Sequence, residues 1–364
     1  MNRYCSYKKS LQKYISKRSC LKTYFNSTGS TTEIYEYIMN MVNNDNFIIP
    51  TIFLTIVNSQ NKKYNISMQC YYSASAIMFY CILSKFIAQS STICAKFGTT
   101  EYNNAINNLV ACSVYSINQN MKTIKTSNHK NLFDMYINLM NIHCKLVNTN
   151  FLLKPINLTD TGIFNKKNSD INKWYKCKPE SAVAGSNTDV TPLVEAINLP
   201  QCPPCNNIST ENNQTHCLRK SANKFKEVKD DEYNEYVTKT LGCLCELAFT
   251  MGWIHGGGKL EEVNNIKIIS KYFTSMYKIS SDFATFEDDF NSLNSTSTNH
   301  VINFGIQRSY NSYIESKYQF IEKCITYEIY TSTMQEIVTI IDKNITSLVD
   351  SMSPDIMSTV SSNA

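Results

Sequence analysis

Three groups of residues carry chemistry in their type and spacing. Cys202-Pro-Pro-Cys205 is followed by His216 and Cys217. Tetrahedral Zn²⁺ takes a paired-cysteine turn and two further sulfur or nitrogen ligands. Adjacent residues seldom reach one ion together, though Cys177 could replace His216 or Cys217. In a chain with 14 Cys such spacings also arise by chance, and zinc is not the expected cofactor. A redox dithiol is weaker still, since no βαβ pattern surrounds the pair. Gly256-Gly-Gly-Lys259 invites a phosphate-loop reading. No strand pattern precedes it and the Gly-x-x-x-x-Gly-Lys-Ser/Thr order is incomplete, so we read a break between two helices with Trp253 and His255 packed beside it. Two acidic runs complete the set. Asp230-Asp231-Glu232 suits the first turn of a helix, where carboxylates complement the dipole. Glu287-Asp288-Asp289 suits a helix end in solvent.

The elements that must position these residues are helices. Ile34, Tyr37, Ile38, Met41 and Val42 recur at i, i+3, i+4, i+7 and i+8, one face of a helix that Thr31 or Thr32 can cap. Further helices are expected over Phe47 to Val57, Ser67 to Gln89, Glu101 to Lys122 and His129 to Val147. Between Pro155 and Ala222 the pattern breaks into Pro, Asn, Ser and Thr, the mark of an insertion or long loop. Helical periodicity returns at about Phe225, runs to Gly252, restarts after the glycines and reaches about Phe290. A last long helix carries Met334, Ile337, Val338, Ile341, Ile345 and Leu348. The divisions expected are a basic flexible arm (1–30), the two halves of a helical bundle (31–154 and 223–350), the polar insertion (155–222) and a disordered tail (351–364).

The segment from Tyr236 through Lys239-Thr240 to Gly256-Gly-Gly, with Tyr272-Phe-Thr-Ser-Met-Tyr-Lys278-Ile-Ser-Ser281-Asp282-Phe-Ala-Thr285 after it, resembles the C-terminal half of the trans-isoprenyl diphosphate (polyprenyl) synthases. In that family a Lys-Thr pair precedes a glycine break, and about forty residues later a helix reads Phe-Gly-x-x-Phe-Gln-x-x-Asp-Asp-x-x-Asp. The resemblance is good over roughly Phe225 to Val349 and weak before it. It implies an all-α, isoprenyl-synthase-like bundle in which two Asp-rich motifs hold Mg²⁺ against an allylic diphosphate. Hard Mg²⁺ with oxygen ligands would stabilise the departing pyrophosphate. By the same resemblance Lys239, Thr240 and Asp282 stand at functional positions, with Lys239 on the diphosphate.

The pattern is depleted at both motifs. Ser281 and Thr285 replace two aspartates, and Lys278 stands where the family has Gln. Where the first motif belongs the chain reads Ser84-Lys-Phe-Ile-Ala-Gln-Ser-Ser, and no carboxylate lies between Asp45 and Glu101. The basic Gly-Lys-x-x-Arg-Pro element expected near Pro50 is replaced by Asp45-Asn-Phe-Ile-Ile-Pro50. One rescue is open: Asp289 lies seven residues beyond Asp282, about −20° round a helix and ~10 Å along it, so Asp282, Asp288 and Asp289 could form a displaced Mg²⁺ site. The expected role is a degenerate binding or regulatory homologue, a homodimer or a partner of an active synthase. The alternatives are an active divergent Mg²⁺-dependent prenyltransferase and a structural protein on the same fold.

Composition narrows the setting. The chain has 364 residues with only 10 Gly and 8 Pro, too few turn formers for a sandwich or propeller. Seven cations from Arg3 to Lys22 precede the first acid, Glu33. Taking them from the net charge of +5 leaves −2 elsewhere, which argues against nucleic acid as a partner. The arm offers Leu11, Tyr14, Ile15 and Leu21 as one apolar face, so contact with an anionic membrane or a role as an organelle transit segment is open. Scattered cysteines and the lack of a secretory leader pattern point to the cytoplasm. Cys70 to Ser84 reads as a buried helix, short of a membrane span.

Overall fold

The computed structural model describes residues 2–27, 32–60, 70–123, 230–291 and 298–351. The helix expected at His129 to Val147, the 155–222 segment with Cys177, Cys202, Cys205, His216 and Cys217, and the tail beyond Ser351 lie outside the described residues. Within them every regular element is a helix. In chain order these are α1 (Arg3–Arg18), α2 (Leu21–Ser27), α3 (Thr32–Asn44), α4 (Ile48–Gln60), α5 (Cys70–Ala88), α6 (Ser90–Phe97) and α7 (Thr99–Thr123). After residue 229 come α8 (Asp230–Val237), a π-helical turn (Thr238–Gly242), α9 (Cys243–His255), a short 3₁₀ turn (Leu260–Glu262) and α10 (Val263–Ala284). The chain closes with α11 (Phe286–Asn291), α12 (His300–Phe304), α13 (Ile306–Thr326) and α14 (Ser332–Ser351).

The chain divides into two compact units. The first takes the described residues within Met1–Leu153, Glu235–Ser275 and Ser316–Ile340; the second takes those within Lys154–Asn234, Met276–Glu315 and Ile341–Ala364. In the first unit α5 packs along α7 and α4, and α9 along α4. Gly252 permits that last approach, because a Cβ there would lie 3.0 Å from the Ile56 Cβ and 3.1 Å from the Phe53 carbonyl oxygen. Phe249, Phe273 and Phe320 form an aromatic cluster with centroids 5.4 to 6.1 Å apart. The α5 helix has 19 residues and is long and apolar enough to cross a membrane by composition. Length therefore does not decide its setting. Burial does: every residue from Ser73 to Leu83 is buried, as in a core helix clad on all sides.

Residues 3–18 and 21–27 are helical where a flexible arm was expected. Residues 3–18 form α1, with Tyr4, Leu11, Tyr14 and Ile15 buried, packed on α3, α4 and α5. The Asn2 side chain caps it by accepting from the Cys5 N–H at 3.0 Å. The Glu336 carboxylate accepts from the Tyr4 N–H at 2.9 Å, placing negative charge where the helix dipole favours it. Lys8 donates to the Asp45 carbonyl at 2.8 Å. The apolar face on which a membrane reading rested is turned into the unit, and a buried stripe stabilises a helix that charge alone would leave frayed.

Candidate functional site

In the second unit, Asp282 on α10 is 5% exposed. Lys278, one turn earlier, donates to its Oδ1 and, at 2.6 Å, to its Oδ2. The same ammonium donates to the Thr298 carbonyl at 2.8 Å and lies 5.9 Å from the centroid of the Tyr233 ring. Two further donors reach Oδ2: the Tyr233 hydroxyl at 3.2 Å and the His300 backbone N–H at 2.8 Å. Burial pushes the Asp282 carboxyl upward, with Lys278 as the main opposing influence and the His300 and Tyr233 hydrogen bonds adding to it. Oδ2 thus accepts from three donors and Oδ1 from Lys278 alone, against the roughly four acceptor positions a carboxylate offers. Asn299 donates from one amide nitrogen to the Asp282 carbonyl and to Asp289 Oδ2, both at 2.8 Å. Thr285 also donates to Asp289 Oδ2, at 2.7 Å. Asp288 is exposed.

His300 stands beside this cluster. Its ring meets Tyr233 edge-on at 5.1 Å and Phe304 at 4.6 Å, and Nδ1 lies 2.7 Å from the Ser309 hydroxyl. Ser309 donates its proton to the Gly305 carbonyl at 2.7 Å, so Nδ1 carries the imidazole hydrogen. Desolvation, helped by the Lys278 and Arg308 charges, pushes the imidazolium pKa down to about 3. The unfolded chain binds a proton near pH 6.5 and the folded chain does not. The stabilisation is therefore complete above pH 6.5 and declines as pH falls towards 3. Urea titrations between pH 7 and 5 are expected to show wild-type stability falling with acidity, and His300→Gln falling less.

Lys239 and Thr240, the pair on which the resemblance rests, belong to the first unit. Lys239 lies on the π-helical turn and pairs with Glu235, one turn back. Its side chain is 37% exposed, and such a pair adds little stability. Thr240 is buried and donates to the Tyr236 carbonyl at 2.8 Å. The π turn bends the helix register where these side chains leave it, a distortion frequent at functional sites. Where the resemblance places the first Asp-rich motif, Lys85 on α5 reaches Asp45 at 2.5 Å. Asp45 is buried, and its other oxygen accepts from the Phe47 N–H at 2.6 Å. Lys85 in the first unit and Lys278 in the second thus each meet a buried aspartate of their own unit.

The glycine run forms a turn between helices. Gly257 has φ +92°, and Gly258 lies flat on the Trp253 ring, where a Cβ would come within 2.3 Å. Trp253 Nε1 donates to the Lys259 carbonyl at 2.8 Å, and the His255 ring meets the Phe53 ring edge-on. Both packing assignments hold. Sequence reasoning missed Tyr233, Asn299, His300 and the partners of both lysines. Lys278 and Asp282 carry a readable i, i+4 signal; Asp45 and Lys85, forty residues apart, carry none.

No known family and no curated protein matches the chain by sequence. Solved structures do. The crystal structure of a geranyltranstransferase from Thermotoga maritima superposes with a TM-score of 0.53 at 9% identity, over 96% of this chain and 100% of that one. The chain has the isoprenyl-synthase fold. A heptaprenyl diphosphate synthase from Staphylococcus aureus overlaps at a TM-score of 0.44 and 12% identity, over 94% of this chain and 88% of that one, too low to add weight. In that fold the resemblance implies Mg²⁺, and the described residues do not fit it. Among the described residues no three His, Cys, Asp or Glu side chains gather where they could hold a metal ion. Both Asp282 oxygens are engaged by the Lys278 ammonium.

Proposed function

We propose that the chain is a polyprenyl synthetase-like protein without prenyl transfer activity, acting as a binding or regulatory homologue in isoprenoid metabolism. One observation carries the reading: both carboxylate oxygens of Asp282 are engaged by the Lys278 ammonium, and Oδ2 also by Tyr233 and the His300 N–H. Ionising an allylic diphosphate leaves a pyrophosphate anion that must be stabilised as it departs. A carboxylate closed by an internal ammonium cannot anchor a cation for that purpose. Pairing with a second copy or with an active synthase, in the cytoplasm, is part of the same proposal. Lys239 is the residue proposed to meet an allylic diphosphate, after exchanging Glu235 for it.

The test is titration calorimetry with farnesyl diphosphate, with and without Mg²⁺, beside a coupled assay for pyrophosphate release. The expected result is no pyrophosphate under either condition. Metal-dependent release that disappears in Asp282→Ala would replace this reading with that of an active divergent prenyltransferase. Binding without release, weakened by Lys239→Ala, is the outcome the proposal requires.

A further inference from the structure

Three oxygen atoms converge on one positive centre in the second unit. Asp282 supplies both carboxylate oxygens and Thr298 its backbone carbonyl, and all three accept from the Lys278 ammonium. An ammonium has three N–H donors, so Lys278 has none left over. Its side chain is 16% exposed and that of Asp282 is 7% exposed. A bidentate carboxylate with a backbone carbonyl is also a donor set that hard cations accept. We infer that the Lys278 ammonium is a built-in cation, held by Asp282 and the Thr298 carbonyl, which makes the cluster independent of any divalent metal while leaving a latent cation site beneath it.

The chemistry follows from charge and occupancy. A divalent ion approaching Asp282 meets a fixed positive charge already seated between its oxygens. It must expel that ammonium, which lies 5.9 Å from the Tyr233 ring centroid, and it must break three hydrogen bonds at once. Neighbouring donors reinforce the closure, because Tyr233 and the His300 N–H keep Oδ2 occupied from two other directions. Asn299 fixes the carbonyl of Asp282 and the side chain of Asp289 together. Removing only the ammonium leaves a buried carboxylate with a vacant position and a carbonyl oxygen beside it, which is the condition a hard cation answers.

This inference rests on the degenerate reading, but it is tested without any isoprenoid. Tb³⁺ is a suitable probe: it prefers oxygen ligands, and its luminescence is sensitised by a tyrosine within a few ångströms, here Tyr233. Wild-type protein titrated with Tb³⁺ is expected to give no saturable signal, and neither EDTA nor Mg²⁺ should move its thermal transition. Lys278→Gln is expected to acquire saturable Tb³⁺ luminescence, at least ~10-fold tighter than any wild-type signal, displaced by Ca²⁺ or Mg²⁺ and lost in Lys278→Gln/Asp282→Asn. If Lys278→Gln folds only when a divalent or trivalent cation is present, the inference is supported in the same way, because binding to the folded state alone stabilises it. Stoichiometric Mg²⁺ binding by wild type that Asp282→Asn removes would overturn it. So would a folded Lys278→Gln that binds nothing. Metal binding at Asp282 without pyrophosphate release would sink this inference and spare the proposed function. Pyrophosphate release with no metal at Asp282 would do the reverse.

Discussion

Asp282→Ala is expected to destabilise the protein by about 3–5 kcal/mol, the cost of leaving one member of a buried ion pair without its partner. The variant strips the Lys278 ammonium of two of its three acceptors and leaves the His300 N–H unpaired. Tyr233 retains the Thr298 carbonyl as a weaker acceptor at 3.4 Å. Asp282→Asn keeps an acceptor but not the charge, so it should fall between wild type and Asp282→Ala. The decisive comparison is Lys278→Met/Asp282→Leu. Replacing a whole buried pair by apolar residues of similar volume is often neutral or stabilising, so the double variant should recover most of the loss. Urea denaturation of the two singles and the double gives the coupling directly. Strictly additive losses would show that the pair is incidental to the unit.

Much of the architecture was legible because helices announce themselves locally. Apolar positions three and four apart mark α3, α4, α5, α7 and α14 within a few residues of their observed bounds, and Gly256 to Gly258 mark the break after α9. The site was legible only in part. That Ser281, Thr285 and the run from Ser84 carry no carboxylate can be read from residue type. What Asp282 does cannot, because its donors include Tyr233 and His300, 49 and 18 positions away. Lys278 illustrates the boundary. As a letter it is a departure from the pattern; as a side chain it closes the cluster. The π turn at Thr238–Gly242 was likewise unreadable, since it depends on hydrogen bonds shifted by one residue, which no residue type marks.

The most instructive miss concerns the basic segment at the start, and it carries the second large prediction. Seven cations with no acid read as a solvated arm because net charge was weighed above the apolar residues between them. Leu11, Tyr14, Ile15 and Leu21 offer one apolar face in the sequence, and burial of that face decides the outcome. Each buried aliphatic side chain is worth about 1.5–3 kcal/mol, more than the mutual repulsion of cations that remain in water and are screened. Leu11→Ala is therefore expected to cost about 2–5 kcal/mol, since Leu11 is fully buried on a helix packed against α3, α4 and α5. Lys9→Ala, at an exposed position of the same helix, should change stability by no more than about 0.5 kcal/mol. Thermal or urea denaturation of both variants separates the cases: equal, negligible effects would restore the flexible arm, whereas a large loss confined to Leu11→Ala would make α1 a working part of the first unit.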